Sequence, residues 1–215
     1  MSKSLFNQHK EVVMIKKLIL MGLMAGFGLC STISHADVNI GETAPDFTLT
    51  DTNGKEQSLS SYKGKFVVLE WLNHDCPFVH KHYDGGNMQA LQKEFTAKDV
   101  VWLSINSSAE GKEGYYSAEK SNELTAEKGA APTAVLLDSN GKVGKQYGAK
   151  TTPHMYVVDP QGILIYQGAI DDKASADSAD IATSKNYVKQ SLDEALAGKA
   201  VSESSTKSYG CSVKY

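Results

Sequence analysis

The sequence predicts one α/β domain, a central mixed β-sheet flanked by helices, and three observations predict it. Phe66-Val-Val-Leu-Glu-Trp71 and Val100-Val-Trp-Leu-Ser-Ile105 are β-rich runs, and between them Met88, Leu91 and Phe95 recur at helical spacing. That is a β-α-β unit, which implies a parallel pair with a right-handed crossover. Residues 155–158 and 163–166 flank Asp159-Pro160-Gln161-Gly162, a turn signal with proline and glycine in the usual places, so a hairpin follows. A last helix then packs on the sheet: Ser184 caps it, Val188, Leu192, Ala195 and Leu196 form its apolar face, and Gly198 ends it. The 215 residues suffice for one domain with a core, plus ends.

The remaining segments fall into order around this frame. Lys16 and Lys17 precede an apolar run over residues 18–29, and Ser34-His35-Ala36 offers small residues where a signal peptidase reads. Residues 1–36 are therefore expected to be a signal peptide, with Met14 a candidate start, and the protein is expected to be exported, periplasmic if the source is Gram-negative. Cys30 follows Gly28 and Leu29, a poor lipobox, so it reads as an h-region residue lost on cleavage, and no stable membrane anchor is expected afterwards. Residues 37–200 form the domain, with Thr133 to Leu137 a further short apolar run. Residues 201–215 read as a polar tail carrying a cysteine.

Charge narrows the function classes. All 22 basic residues are lysine. Arginine is the preferred fork for phosphate and base edges, so nucleic-acid binding is disfavoured. Loss of residues 1–36 leaves 18 basic and 24 acidic residues. Such an anionic chain does not seek nucleic acid or anionic lipid.

Of the three cysteines, Cys76 and Cys211 survive cleavage. Two cysteines in an oxidising compartment usually find each other, as a structural staple or as a working pair. Cys76 follows the first core strand and opens the first core helix. Unpaired N–H groups and the positive end of the helix dipole favour a thiolate there. Pro77 at the first helical position costs nothing, because its missing N–H would be an orphan anyway. Thr152-Pro153-His154 is the second signal, placing Pro153 at a strand start where it removes no ladder bond.

Together these features resemble the thioredoxin superfamily. Ala44-Pro-Asp-Phe-Thr-Leu49 and Leu59-Ser-Ser-Tyr-Lys-Gly-Lys65 resemble the alkyl hydroperoxide reductase/thiol-specific antioxidant (redoxin) branch. Asn73-His-Asp-Cys-Pro-Phe78, Tyr147-Gly-Ala-Lys-Thr-Thr-Pro153, Gly168-Ala-Ile-Asp-Asp172 and Gly210-Cys-Ser-Val-Lys-Tyr215 resemble a peroxiredoxin-like subgroup. The resemblance covers residues 39–215. It implies a thioredoxin-like fold, a catalytic Cys76, and a cis Pro153, preceded by Thr152, that faces the cysteine and holds substrate backbone. It also implies a thiol or disulfide substrate, protein or small molecule, an external reductant, and no cofactor.

The departures from the family pattern matter equally. A peroxiredoxin carries Pro-x-x-x-Thr/Ser-x-x-Cys and an active-site arginine; Leu69 and Asn73 stand at those positions, and arginine is absent. Weak or absent peroxidase activity is therefore expected. A thioredoxin carries Cys-x-x-Cys, whereas this run is Cys76-Pro77-Phe78-Val79. Cys211 is then the candidate resolving thiol.

Cleavage leaves His74, His80, His82 and His154. Cys76 and His80 are four apart, so His80 is a candidate for tuning the thiol. The bland reading makes His80 and His82 solvated helix residues. Another reading makes Cys76, His80 and His154 ligands of a soft or borderline metal, copper or zinc, on a carrier of the same fold. A non-catalytic adaptor held by a structural disulfide is the third option. The reading carried forward is an exported thiol-disulfide oxidoreductase or peroxiredoxin-like antioxidant protein.

Overall fold

The computed structural model describes residues 38–215. The signal peptide, its cleavage site and Cys30 lie outside the described residues. Those described form β1 (Thr48–Asp51), β2 (Glu56–Ser58), β3 (Val67–Trp71), α1 (Pro77–Asp84), α2 (Asn87–Thr96), β4 (Val101–Asn106), α3 (Ala118–Glu127), β5 (Ala134–Leu137), α4 (Lys142–Gln146), β6 (Thr151–Thr152), β7 (His154–Val158), β8 (Leu164–Gly168), α5 (Tyr187–Leu196) and β9 (Cys211–Ser212). Seven strands make one sheet in the order β2-β1-β5-β4-β3-β7-β8, while β6 and β9 pair separately. The β3–β4 pair is parallel, as the β-α-β reading requires, with Val67 opposite Val101. β7 lies antiparallel on the other side of β3, with Trp71 opposite His154.

β3 sits centrally, so both its faces are covered and all five residues are buried. Leu69 and Trp71 face one apolar cluster with Leu103, Ile105, Tyr147 and Tyr156. Val68 faces the other, where α1, α2 and α5 contribute Val79, Tyr83, Met88, Leu91, Phe95, Val188 and Leu192. Each large apolar side chain fully buried this way stabilises the fold by roughly 1.5–3 kcal/mol before entropy is counted. The hairpin turn closes as read: Gly162 has φ +85°, and the Asp159 carboxylate accepts the Gln161 and Ile163 N–H groups at 2.9 and 2.8 Å.

The structure corrects several expectations. Asn186, not Ser184, caps α5, its side chain accepting the Lys189 N–H. Gly198 still ends that helix, in the left-handed region at φ +71°. The helical stretch after Cys76 breaks at Gly85-Gly86, where α1 ends and α2 begins. β1, β2, α3, α4, β6 and β9 are additional to the elements read from the sequence. The polar tail is no loose end. Its residues 204–206 run beside β8, with Gln167 N–H on the Ser204 carbonyl at 3.0 Å and Thr206 N–H on the Gln167 carbonyl at 3.0 Å. It then crosses to β6 and docks its last side chain through Tyr215 Oη on the Ala149 carbonyl at 2.8 Å.

Candidate active site

Cys76 is the N-cap of α1, with extended backbone and Pro77 just inside the helix. Its carbonyl accepts the first helical bonds, from Val79 and His80 N–H groups, both at 2.9 Å. Its side chain is fully buried. Opposite it the Thr152–Pro153 peptide bond is cis, as the resemblance implied for this proline. The thiol donates to the Thr152 carbonyl at 3.1 Å.

β9 lies antiparallel on β6 and sets Cys211 opposite Thr152. The second thiol thereby comes beside the first, near enough to lower the Cys76 pKa. Gly210 is what allows so close an approach. Its φ is +126°, and a Cβ there would lie 2.1 Å from the Thr152 carbonyl oxygen, so any larger residue would force the tail off the loop. Both cysteines are free thiols in this structure.

The electrostatics of the pair are asymmetric. Burial pushes the Cys76 thiol up, but hydrogen bonds from the Cys211 thiol, the Thr152 side chain, and the Cys211 and Val79 N–H groups outweigh it, so the net shift is down. Cys211 moves the other way, to about 12, through burial and then through Cys76 as hydrogen-bond partner and as anion. The Thr152 hydroxyl is buried without a hydrogen-bond partner of normal geometry, yet lies close enough to Cys76 to help lower its pKa.

The histidines separate. His80 is half-exposed and places Nδ1 3.0 Å from the Asp84 carboxylate. His82, read as a solvated residue, is instead completely buried. His154 is buried too, with Nδ1 3.1 Å from the Tyr156 hydroxyl, and burial, then Lys150, holds its pKa down to about 3. His74 is buried, its ring against Tyr83 at 5.4 Å between centroids. The structure thus brings Cys76, Cys211, Thr152 and Pro153 together, and His80 faces Asp84. Among the described residues no group of three or more His, Cys, Asp and Glu side chains gathers to hold a metal ion. The two further peroxiredoxin positions are turned to other uses. Leu69 is fully buried in the core, and Asn73 Oδ1 accepts the Asp75 N–H at 2.8 Å.

Sequence reasoning missed a buried polar cluster beside this site. Lys81 Nζ donates to Asp171 Oδ2 at 3.0 Å and to the Lys173 carbonyl at 2.7 Å. Tyr209 Oη donates to the other Asp171 oxygen, and His82 Nε2 lies 3.1 Å from that phenol. Lysine and histidine on a short helix read as surface residues; the aromatic Tyr209 in the tail was the available signal.

A thiol at a helix start, opposite a cis proline on this sheet, defines a thiol-dependent oxidoreductase with a thioredoxin-like fold. Known proteins agree. The chain belongs to the AhpC/TSA family, whose model matches residues 40–167. It is 28% identical to the thiol-disulfide oxidoreductase ResA of Bacillus subtilis over 74% of this chain and 85% of that one. It is 30% identical to the chloroplastic peroxiredoxin Q of Sedum lineare over 66% of this chain and 76% of that one. Among solved structures, an uncharacterized conserved protein from Geobacillus kaustophilus aligns with TM-score 0.70 and 28% identity, covering 82% of this chain and 92% of the other. Among the described residues no helix is long and apolar enough to cross a membrane.

Proposed function

We propose that this protein is an exported thiol-disulfide exchange enzyme in which Cys76 attacks and Cys211 resolves. The observation that supports it best is the placement of Cys211 opposite Thr152, beside Cys76 at the helix start and the cis Pro153, with the Cys76 thiol shifted toward the thiolate. The Cys76 thiolate attacks one sulfur of a substrate disulfide, giving a mixed disulfide and releasing one substrate thiol. Two of the causes that hold the Cys211 proton are Cys76 itself, as partner and as anion. Both vanish once Cys76 is covalently bound. Cys211 then loses its proton and attacks the Cys76 sulfur, releasing the second substrate thiol and leaving a Cys76–Cys211 disulfide. An external dithiol returns the pair to the reduced state and is itself oxidised to a disulfide.

With the tail docked Cys76 has no accessible surface, so substrate enters only when the residues around Cys211 lift from β6. Export rests on the leader read in residues 1–36. Peroxide is a poor substrate in this account. Leu69 and Asn73 stand where a peroxidase holds peroxide, and the chain has no arginine.

Stopped-flow kinetics of the reduced protein tests the proposal. Reaction with a small aromatic disulfide is expected to be fast and to need Cys76, with Cys211→Ser stalling at the mixed disulfide. Reaction with hydrogen peroxide is expected to be far slower. A peroxide reaction outpacing the disulfide reaction would contradict it, as would full activity in Cys76→Ser.

A further inference from the structure

The cluster missed by the sequence joins the two elements that carry the thiols. Lys81 and His82 lie on α1, which begins at Cys76. Tyr209 lies in the tail two residues before Cys211. Asp171, just past β8, sits between them, and the buried Lys81–Asp171 pair has side chains only 0% and 1% exposed.

The hydrogen bonds run in one direction. Asn87 Nδ2 donates to His82 Nδ1 at 2.9 Å, which fixes His82 as the Nε2–H tautomer. His82 Nε2–H then donates to the Tyr209 oxygen, 3.1 Å away, and the Tyr209 hydroxyl donates to Asp171. Burial keeps His82 neutral, as this order requires. The phenol ring packs edge-on against Phe78 of α1, 5.8 Å between centroids, and Lys81 Nζ lies 5.5 Å from the ring centre. Tyr209 is therefore the one group of the tail that completes the hydrogen bonds of a buried ion pair on the body of the domain. Breaking it leaves the His82 N–H without its partner and the Asp171 carboxylate with only Lys81 and the Lys173 N–H, which is costly in a buried setting.

We propose that Tyr209 is a positioning residue for Cys211: with Asp171, Lys81 and His82 it forms a polar latch that sets the tail thiol against Cys76. The proposal deepens the assignment of Cys76 and Cys211 as an exchanging pair and rests on it. The latch makes the tail the resting occupant of the β6 edge. It raises the effective concentration of Cys211 at Cys76 without touching either sulfur.

The test uses the full exported chain in glutathione redox buffers. The equilibrium constant for the Cys76–Cys211 disulfide is measured for wild type, Tyr209→Phe and Gly210→Ala, alongside thermal melting and the rate of Cys76 alkylation in the reduced proteins. Tyr209→Phe keeps the ring and removes only the hydroxyl. It is expected to lower the constant about tenfold, the worth of one hydrogen bond to a charged group, and to speed Cys76 alkylation as the tail lifts. Gly210→Ala should move both readings further in the same direction. If Tyr209→Phe melts early, His82→Leu replaces it, with the same direction and a smaller effect expected. A Tyr209→Phe protein with wild-type equilibrium constant and alkylation rate would overturn the latch. Absence of the disulfide in wild type would instead overturn the exchanging pair. The alkylation arm would then still decide whether Tyr209 holds the tail down.

Discussion

Glu70 and Asp171 are both buried carboxylates, and the protein satisfies them in opposite ways. Glu70, in the middle of β3, accepts from Trp102 Nε1 at 2.8 Å, Tyr83 Oη at 2.8 Å, Ser104 Oγ at 2.9 Å and Gln92 Nε2 at 3.3 Å. All four donors are neutral and belong to the core. Burial still pushes the carboxyl up. Asp171 instead has a cation, Lys81, and the Lys173 N–H, and takes another donor from the tail, Tyr209. A carboxylate satisfied wholly from the core fixes the packing of β3 against β4, α1 and α2. A carboxylate with a donor from the tail ties a charge to a segment that, on the proposed mechanism, moves for substrate to reach Cys76. The first arrangement is rigid by construction, and the second makes opening costly but reversible.

The comparison breaks first at Glu70. Glu70→Leu strands the Trp102 N–H and the Tyr83 and Ser104 hydroxyls, and should cost about 3 kcal/mol or more of stability by chemical denaturation. Glu70→Gln should be nearly neutral. Its carbonyl can take the donors on one oxygen while the Tyr83 hydroxyl reverses to accept from the new amide. Neither variant should change the Cys76–Cys211 equilibrium. If Glu70→Gln shifts that equilibrium, the two networks are coupled and the contrast fails.

Acid sharpens the contrast by a smaller amount. Burial holds His82 down to about 4, with the Asp171 charge opposing and the Lys81 charge assisting. Burial, then the Lys128 and His80 charges, holds His74 down to about 4. A histidine depressed in the folded state binds fewer protons there than when unfolded. The stability it confers is complete above about pH 6.5 and is lost as pH falls toward 4. Glu70, raised by burial, has the opposite sign: protonation favours the folded state. Each buried histidine should therefore cost on the order of 2 kcal/mol across that window, with Glu70 offsetting part of it. Denaturation midpoints between pH 7 and pH 4 check this. A flat profile, or a rising one, would mean that these rings are solvated.

Much of the fold was legible because its signals are local. β3, β4 and the β7–β8 hairpin are continuous apolar runs around an Asp-Pro-Gln-Gly turn, and α5 carries an apolar stripe. What stayed hidden depends on distant partners. α3 buries only Ser121, so no apolar face marks it. β9 is two residues long and exists because Thr151 and Thr152 offer an edge. Ser184 has the right chemistry for a cap, yet Asn186 takes that role because its backbone, bridged to Asp171, enters the helix there. At the site, Cys76, Thr152 and Pro153 were readable from their places beside a helix start and a strand start. Cys211 was readable only as a leftover thiol. The Lys81, His82 and Tyr209 cluster was unreadable, because polar residues announce burial only when their partners are known.

On the proposed mechanism Cys76 and Cys211 exchange electrons with substrate as a pair rather than staple the tail. It is tested by a redox titration of the purified protein, with the thiols acid-quenched and counted by mass spectrometry. A reversible Cys76–Cys211 disulfide is expected, with a potential between about −120 and −270 mV, the range of exchangeable protein disulfides. A potential below about −300 mV would make the bond a structural staple, and two free thiols in protein taken from an oxidising compartment would remove Cys211 from the mechanism.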